Sequence, residues 1–266
     1  MAETSDRGRR PPQGEPVLDR AFRLLDVFTG SRPTVGLTEL AERSGLPLST
    51  ALRLATRLVR LGALERGADG NFAIGLRMLQ YAALAPRGHG LRAIALPYME
   101  DLHRATRQHV QFAVREQDEG IMVERLSAPG AGRVLYHAGA KFPLHATSLG
   151  LVLLAYARAE FRGGYLARQH VMQPEGTPVN TSDLRDRLDR IRAAGSARLS
   201  RSLPEPVESV AAPVFDRSGS CIAALSVLGA DGTVAMPMVE PAVIAIAHSI
   251  SRDIARTSIR SGAATD

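Results

Sequence analysis

The hydrophobic pattern of this chain changes period part-way, and the change divides it into two parts that must fold differently. From residue 17 to about residue 61, apolar side chains recur at spacings of three and four, the signature of amphipathic helices. Past residue 108 they alternate with polar neighbours, as strands do. This holds at Val110, Phe112 and Val114, at Ile121, Val123 and (less cleanly) Leu126, and at Val134 and Tyr136. Between the two regimes, Pro86-Arg87-Gly88-His89-Gly90 breaks any helix that enters it, and the domain boundary is placed there. At 266 residues the chain has room for two modest domains, since single cores divide beyond about 250 residues.

Residues 1–16 carry five glycines and prolines and the arginines Arg7, Arg9 and Arg10, which reads as a disordered basic arm. A first helix follows with Leu18, Ala21, Phe22, Leu25 and Phe28 as its apolar stripe. A second begins after Leu37, with Thr38 placed to cap its exposed amides, and ends at Ser44-Gly45. A third runs from Pro47–Ser49 to about Leu61, with Leu48, Leu52, Ala55, Leu58 and Val59 apolar and Ser49, Arg53, Arg57 and Arg60 on the opposite side, flanked by Thr50 and Thr56. Residues 63–66 and 71–74, joined by Gly67-Ala68-Asp69-Gly70, form a small hairpin.

Three helices and a hairpin in this order make a winged helix-turn-helix over residues 17–75. A helix fits the DNA major groove, where every base pair shows a distinct donor and acceptor pattern. Arginines on its outer face can bridge guanine edges or phosphates, and hydroxyls can take phosphates. The candidate DNA-contacting residues are therefore Thr38, Ser49, Thr50, Arg53, Arg57 and Arg60. An arginine stripe on an amphipathic helix is also what a plain solvated face looks like.

Residues 76–90 read as a linker helix, with Leu76, Leu79 and Ala83 on one side, and a break. Residues 91–258 form the second domain. It opens with a helix over 91–107 that presents Ile94, Tyr98, Leu102 and Ala105, with a kink at Pro97. Three short strands follow, then a strongly apolar helix at 147–157 and an amphipathic one at 182–194. Two strands at 207–215 and 221–228 and a last helix at about 241–257 close the domain, leaving a tail at 259–266. Helices around an antiparallel sheet make an α+β domain large enough to hold a small molecule.

The remaining chemistry is mostly exclusion. No run approaches the ~18 apolar residues of a membrane span, and no signal peptide precedes residue 17, so a cytoplasmic protein is expected. The single Cys221 excludes an internal disulfide and a cysteine-based zinc site, and its apolar strand predicts an inert buried thiol. Net charge is +6 and splits evenly, 12 basic minus 9 acidic residues over 1–80 and 21 minus 18 beyond, so it marks neither half as the polyanion binder. Gly88-His89-Gly90-Leu91-Arg92-Ala93 matches a dinucleotide loop in spacing but follows no strand. The histidines are scattered without ligand spacing, and no nucleophile elbow or phosphate loop is present. No enzyme, metal or cofactor is expected.

Several motifs carry a family likeness. Residues 17–21 (Val-Leu-Asp-Arg-Ala), 37–41 (Leu-Thr-Glu-Leu-Ala) and 45–50 (Gly-Leu-Pro-Leu-Ser-Thr), with Arg53-Leu54, resemble the DNA-binding half of the isocitrate-lyase-regulator (IclR) family. Residues 142–150 (Phe-Pro-Leu-His-Ala-Thr-Ser-Leu-Gly), 209–216 (Ser-Val-Ala-Ala-Pro-Val-Phe-Asp) and 223–227 (Ala-Ala-Leu-Ser-Val) resemble its effector half. The resemblance spans about residues 17–258 in order and spacing. It implies a transcription regulator of a metabolic, catabolic operon, most often a repressor, with a GAF-like domain that binds a small organic effector. It also implies homodimers or pairs of dimers on palindromic double-stranded operators.

The resemblance further implies effector contacts at Ser148, Leu149, Leu199, Ser209, Ser226 and Leu228, and the departures fall there. Ser148 and Leu149 replace a usual glycine and alanine, Leu151 a frequent lysine, Leu199 an aspartate or serine, Ser202 a glutamate, and Leu228 a serine. Ser209 and Ser226 keep the family's small or polar type. A pocket that trades polar anchors for leucines implies an effector with more apolar or aromatic surface than a small keto acid. One alternative stays open on the residues alone: a small-molecule sensor or enzyme-like domain whose helix-turn-helix contacts protein rather than DNA.

Overall fold

A computed structural model describes residues 15–30, 32–132, 135–172, 177–201, 206–233 and 235–257. The basic arm over 1–14 with Arg7, Arg9 and Arg10, the tail at 259–266, Val134 and Ser202 lie outside the described residues. The chain divides into two compact units between Tyr81 and Ala82.

The first unit contains α1 (Val17–Leu25), β1 (Thr34–Val35), α2 (Leu37–Ser44), α3 (Leu48–Arg60), β2 (Leu64–Arg66), β3 (Phe72–Ile74) and all but the last two residues of α4 (Leu76–Ala83). The three strands pair antiparallel in the order β1-β3-β2, so the expected hairpin is a wing closed by one extra strand. Its core is Leu24, Val35, Leu40, Leu54, Ala55, Leu64 and Phe72 with their neighbours. Gly45 at φ 64° makes the tight turn from α2 to α3, a left-handed conformation that glycine adopts without the Cβ penalty. Gly75 is fixed by space instead: a Cβ there would lie 2.9 Å from the carbonyl carbon of Gly62.

Three expectations in this unit need correction. Thr38 caps nothing: α2 begins one residue earlier, after Gly36, and no side chain caps it. The buried side of α3 is Ala51, Leu54 and Ala55, with Leu48 and Leu52 53% and 40% exposed. Apolar residues cover more than half of this helix's circumference, so two overlapping stripes fit the same period, and packing on α2 selects one. In α1, Leu24 faces the core while Leu18 and Phe22 are exposed, and the helix ends before Phe28. Leu76, Leu79 and Tyr81 of α4 are exposed as well.

The second unit opens with a wide helical turn at Pro86–Gly90, followed by α5 (Leu91–Thr106), β4 (His109–Glu116), β5 (Glu119–Leu126), β6 (Lys141–Pro143), α6 (Ser148–Ala155) and α7 (Ala159–Leu166). Then come β7 (Val171–Met172), β8 (Thr177–Pro178), α8 (Thr181–Ala194), β9 (Ala197–Arg201), β10 (Val207–Phe215), β11 (Cys221–Ala230) and α9 (Met236–Thr257). Six strands form one antiparallel sheet in the order β6-β5-β4-β11-β10-β9. Phe112, Val110, Leu225 and Val227 pack on α5 and α9. On the other face Ala113, Ala211 and Ala224 lie under α6, and their small size lets that wholly buried helix sit close to the sheet. Thr147 caps α6 by accepting from the Gly150 amide at 2.9 Å. This is the α+β, helix-flanked antiparallel layout expected.

Here the third strand described is Lys141–Pro143, and Tyr136 lies outside the named strands. The last helix starts at Met236, with Pro241 exposed inside it, five residues before the expected start. Proline has no N–H, so Pro241 forgoes one i→i−4 hydrogen bond in the second turn of this helix. In α5 the buried positions are Leu91, Ala95, Met99 and Leu102, with Ile94 and Tyr98 half-buried beside them and Ala105 exposed.

Candidate DNA-binding face and effector site

The outer side of α3 is built by subtraction. With Ala51, Leu54 and Ala55 inward, 3.6 residues per turn sends Ser49, Arg53, Thr56 and Arg60 to the far side, with Thr50 and Arg57 at its flank. Ser49, Arg53, Arg57 and Arg60 are exposed. Among the described residues none of the three arginines has an ion-pair partner, and α3 has no acidic residue in its first turn. Thr56 is occupied, its hydroxyl donating to Leu52 O at 2.7 Å. In the wing, Arg66 donates to Gly70 O at 3.2 Å and lies over the Phe72 ring. Glu65 accepts from the Leu76 amide at 2.9 Å and so fastens the wing to α4. The arrangement offers three positive groups and two hydroxyls from one short helix, with no carboxylate among them.

In the second unit, strand register brings four of the six effector-site candidates onto one sheet face. Directly paired residues across antiparallel strands share a face. One row reads His109, Leu228, Ser209 and Leu199 across β4, β11, β10 and β9. The next reads Arg125, Gln111, Ser226, Ala211 and Ala197 across β5, β4, β11, β10 and β9. Ser148 and Leu149, both buried, start α6, which packs on β10 and β11 over this same face. Ser226 is fully buried and donates to Gln111 Oε1 at 3.3 Å; Ser209 donates to Leu199 O at 3.3 Å. Leu199 and Leu228 are half-buried.

The sequence reading missed His109, Gln111 and Arg125 on this face. His109 and Gln111 are visible only as polar residues alternating with Val110 and Phe112. Arg125 is hidden by a bulge in β5, opposite Phe112 and Ala113, that reverses the alternation beyond Val123. His109 accepts from the Ala128 amide at Nδ1 and donates from Nε2 to Gly132 O, and burial holds it below the ordinary histidine range, in the neutral form.

A second buried polar cluster lies at the base of α6. His145 accepts from the Tyr165 hydroxyl at 2.8 Å and donates to Val171 O at 3.0 Å, while His170 stacks on Tyr165. Burial lowers the His145 pKa and pushes that of the Tyr165 phenol up to about 12. Both ring nitrogens of His109 and of His145 are engaged by protein, which is the structural role read for scattered histidines. Among the described residues no group of histidine, cysteine and carboxylate side chains could hold a metal ion. Cys221 is half-buried, and burial pushes its thiol up to about 12.

Comparison with known proteins separates regulator from enzyme. The family model described as the IclR helix-turn-helix domain matches residues 17–68, and that described as bacterial transcriptional regulator IclR C-terminal matches residues 84–256. The chain belongs to the IclR family of transcriptional regulators. Among IclR relatives, the glycerol operon regulatory protein of Streptomyces coelicolor is 30% identical over 244 residues, covering 89% of this chain and 95% of that protein. The transcriptional repressor IclR of Escherichia coli is 29% identical over 234 residues, covering 84% and 85%. An IclR homologue from Microbacterium hydrocarbonoxydans, solved in complex with 4-hydroxybenzoate, superposes with TM-score 0.82 at 31% identity, covering 91% of this chain and all of that one. Matched models and relatives alike are regulators and not enzymes, so the helix-turn-helix belongs to a DNA-binding regulator. No helix among the described residues is long and apolar enough to cross a membrane.

Proposed function

We propose that this IclR-family chain is a cytoplasmic, homodimeric repressor of a catabolic operon. It reads a palindromic operator through Ser49, Thr50, Arg53, Arg57 and Arg60, and releases it when a small organic acid of aromatic or apolar character binds the second unit. The observation that carries the DNA reading is the outer face of α3, where three guanidinium groups and two hydroxyls meet no carboxylate among the described residues. Thr38, exposed beside the start of α2, is a peripheral phosphate contact.

Two features support a homodimer. One short recognition helix reads too few base pairs for useful specificity. The apolar stripes of α1 and α4 are also left exposed among the described residues, Leu18 being 69% and Leu76 65% exposed. Covering Leu18, Phe22, Leu76 and Leu79 with a second copy is worth about 1.5–3 kcal/mol per side chain.

For the effector, Leu149, Leu199 and Leu228 place hydrocarbon where the family tends to carry polar or smaller groups, and the Microbacterium homologue was solved with an aromatic acid bound. Residues 76–90 act as the connection through which binding is felt. At the end of that connection Arg87 pairs with Glu116, and just beyond it Arg92 pairs with Glu124, so the turn at Pro86–Gly90 and the start of α5 are gripped by β4 and β5. An effector changes operator affinity only by binding the two arrangements of this connection unequally, typically by 1–3 kcal/mol.

The test is a mobility shift on a duplex from upstream of the chain's own gene, with benzoate, 4-hydroxybenzoate and pyruvate titrated in. Release by the aromatic acids and not by pyruvate is expected. Tight response to pyruvate with none to aromatic acids overturns the effector reading.

A further inference from the structure

The effector face carries a positive side chain that meets no carboxylate, and an amide N–H group that meets no acceptor, among the described residues. Arg125 is half-buried and directly opposite Gln111, so their Cβ atoms lie about 4.5–5.5 Å apart on the same face. One guanidinium nitrogen of Arg125, Nη1, donates to Tyr136 O at 2.9 Å. Among the described residues no carboxylate pairs with Arg125, and its Nε and Nη2 protons meet no acceptor. The adjacent Glu124 does not neutralise it: the bulge in β5 turns Glu124 to the opposite face, where it pairs with Arg92 of α5. Its other neighbour His109 is neutral, with both ring nitrogens engaged.

Gln111 is only 5% exposed. The Ser226 hydroxyl donates to its Oε1, which fixes the amide so that Nε2 is the outward donor, and among the described residues no acceptor meets Nε2. An amide donor left to solvent in a side chain otherwise covered, and a half-buried cation without a counter-ion, both stand open to an acceptor in the empty protein. One ligand group engages both: a carboxylate. The planar fork of Arg accepts it side-on through two N–H bonds, and the Gln111 amide adds a third donor. Beyond Gln111, two inter-strand steps of about 4.8 Å each cross Ser226 and Leu228 to Ser209 on β10, enough for a single ring over leucine.

We propose that Arg125 and Gln111 are the carboxylate anchor of the effector, which is a monocyclic aromatic acid whose ring lies over Leu228. The inference rests on the reading that the second unit binds an organic acid, and it adds which end is recognised and by what. It also accounts for the leucines at 199 and 228: with the charge held at the β5 end, the β9 and β11 positions are free to be apolar.

Calorimetric titration of the full chain with benzoate and with its uncharged isostere benzamide tests this. Wild type is expected to bind benzoate at least ten-fold more tightly than benzamide. Arg125→Met keeps the aliphatic stem, and is expected to lose about ten- to hundred-fold for benzoate with benzamide unchanged. Gln111→Leu is expected to lose a smaller factor for benzoate, again sparing benzamide. Arg125→Lys keeps the charge without the fork and should fall between wild type and Arg125→Met.

Unchanged benzoate affinity in Arg125→Met overturns the anchor. Equal loss of both ligands overturns it too, because a merely structural role would do that. If neither benzoate nor 4-hydroxybenzoate nor benzamide binds the wild type, the reading of an aromatic effector falls and the anchor with it.

Discussion

Replacing Gly150 by alanine separates close backbone approach from ordinary helix propensity. Gly150 sits in the first turn of α6, and a Cβ there would lie 2.6 Å from Leu144 Cα and closer still to the Leu144 carbonyl. Carbon atoms pack at about 3.5–4.0 Å, so either α6 or residues 144–146 must move by roughly 1 Å. Neither can yield cheaply, because all eight residues of α6 and the three before Thr147 are buried. The cost belongs with the larger overpacking cases, about 3 kcal/mol, which for a unit of this size lowers Tm by about 6–12 °C. Gly163 of α7 is the control: it is exposed with nothing near its Cβ position, and alanine there should add about 0.5–1 kcal/mol and raise Tm. Scanning calorimetry of both variants reads the pair. A Gly150→Ala protein that melts with the wild type, or two variants that shift in the same direction, refutes the packing described for α6.

Other outcomes follow from the same contacts. His145 and His109 both have folded-state pKa values held below the ordinary 6.5 by burial, so the unfolded chain binds protons first as pH falls. Their contribution is present above pH 6.5 and lost below it; Tm should fall from pH 7 to pH 5, and less steeply in His145→Gln. Cys221, with its thiol pushed up to about 12, should resist iodoacetamide at pH 8 in the native protein and react once the chain is unfolded. Leu18→Asp with Leu79→Asp places charge on the exposed stripes of α1 and α4, and should shift the sedimenting species from dimer to monomer without lowering helix content.

The order of elements in the first unit was legible because its helices are short, strongly periodic and punctuated by Gly45 and Gly62. Which residues face inward was less so. Leu18 and Phe22 follow the helical period as well as Leu24 does, and Leu48 and Leu52 as well as Leu54. A stripe that faces solvent in this chain has the same periodicity as one that faces its core, so period alone cannot assign it.

In the second unit the apolar strands and α6 were readable from composition. The helix α7 was missed, because Gly163-Gly164 reads as a break although both residues lie inside a helix. The strand β9 holding Leu199 was missed because its sequence, Ala-Arg-Leu-Ser-Arg, has the composition of a loop. Of the effector face, Ser209, Ser226, Leu228 and Leu199 came from motif resemblance, and pairing register is what sets them in rows. Arg125 could not be found by alternation, since one extra residue in β5 moves it to the face opposite the one its spacing indicates.

The central claim is that the outer face of α3 reads DNA. Its most direct measurement is fluorescence anisotropy of the purified chain on a duplex from upstream of its own gene and on a scrambled duplex, at low and physiological salt. The same titrations are repeated for Arg53→Ala with Arg57→Ala. The wild type should prefer the upstream duplex at both salt concentrations. The double variant should lose that preference while retaining its fold and its binding of organic acid, with a salt slope smaller by about 0.9 for each phosphate contact removed. Equal, weak binding to both duplexes that vanishes with salt, unchanged in the variant, would contradict the assignment of α3 as the recognition helix.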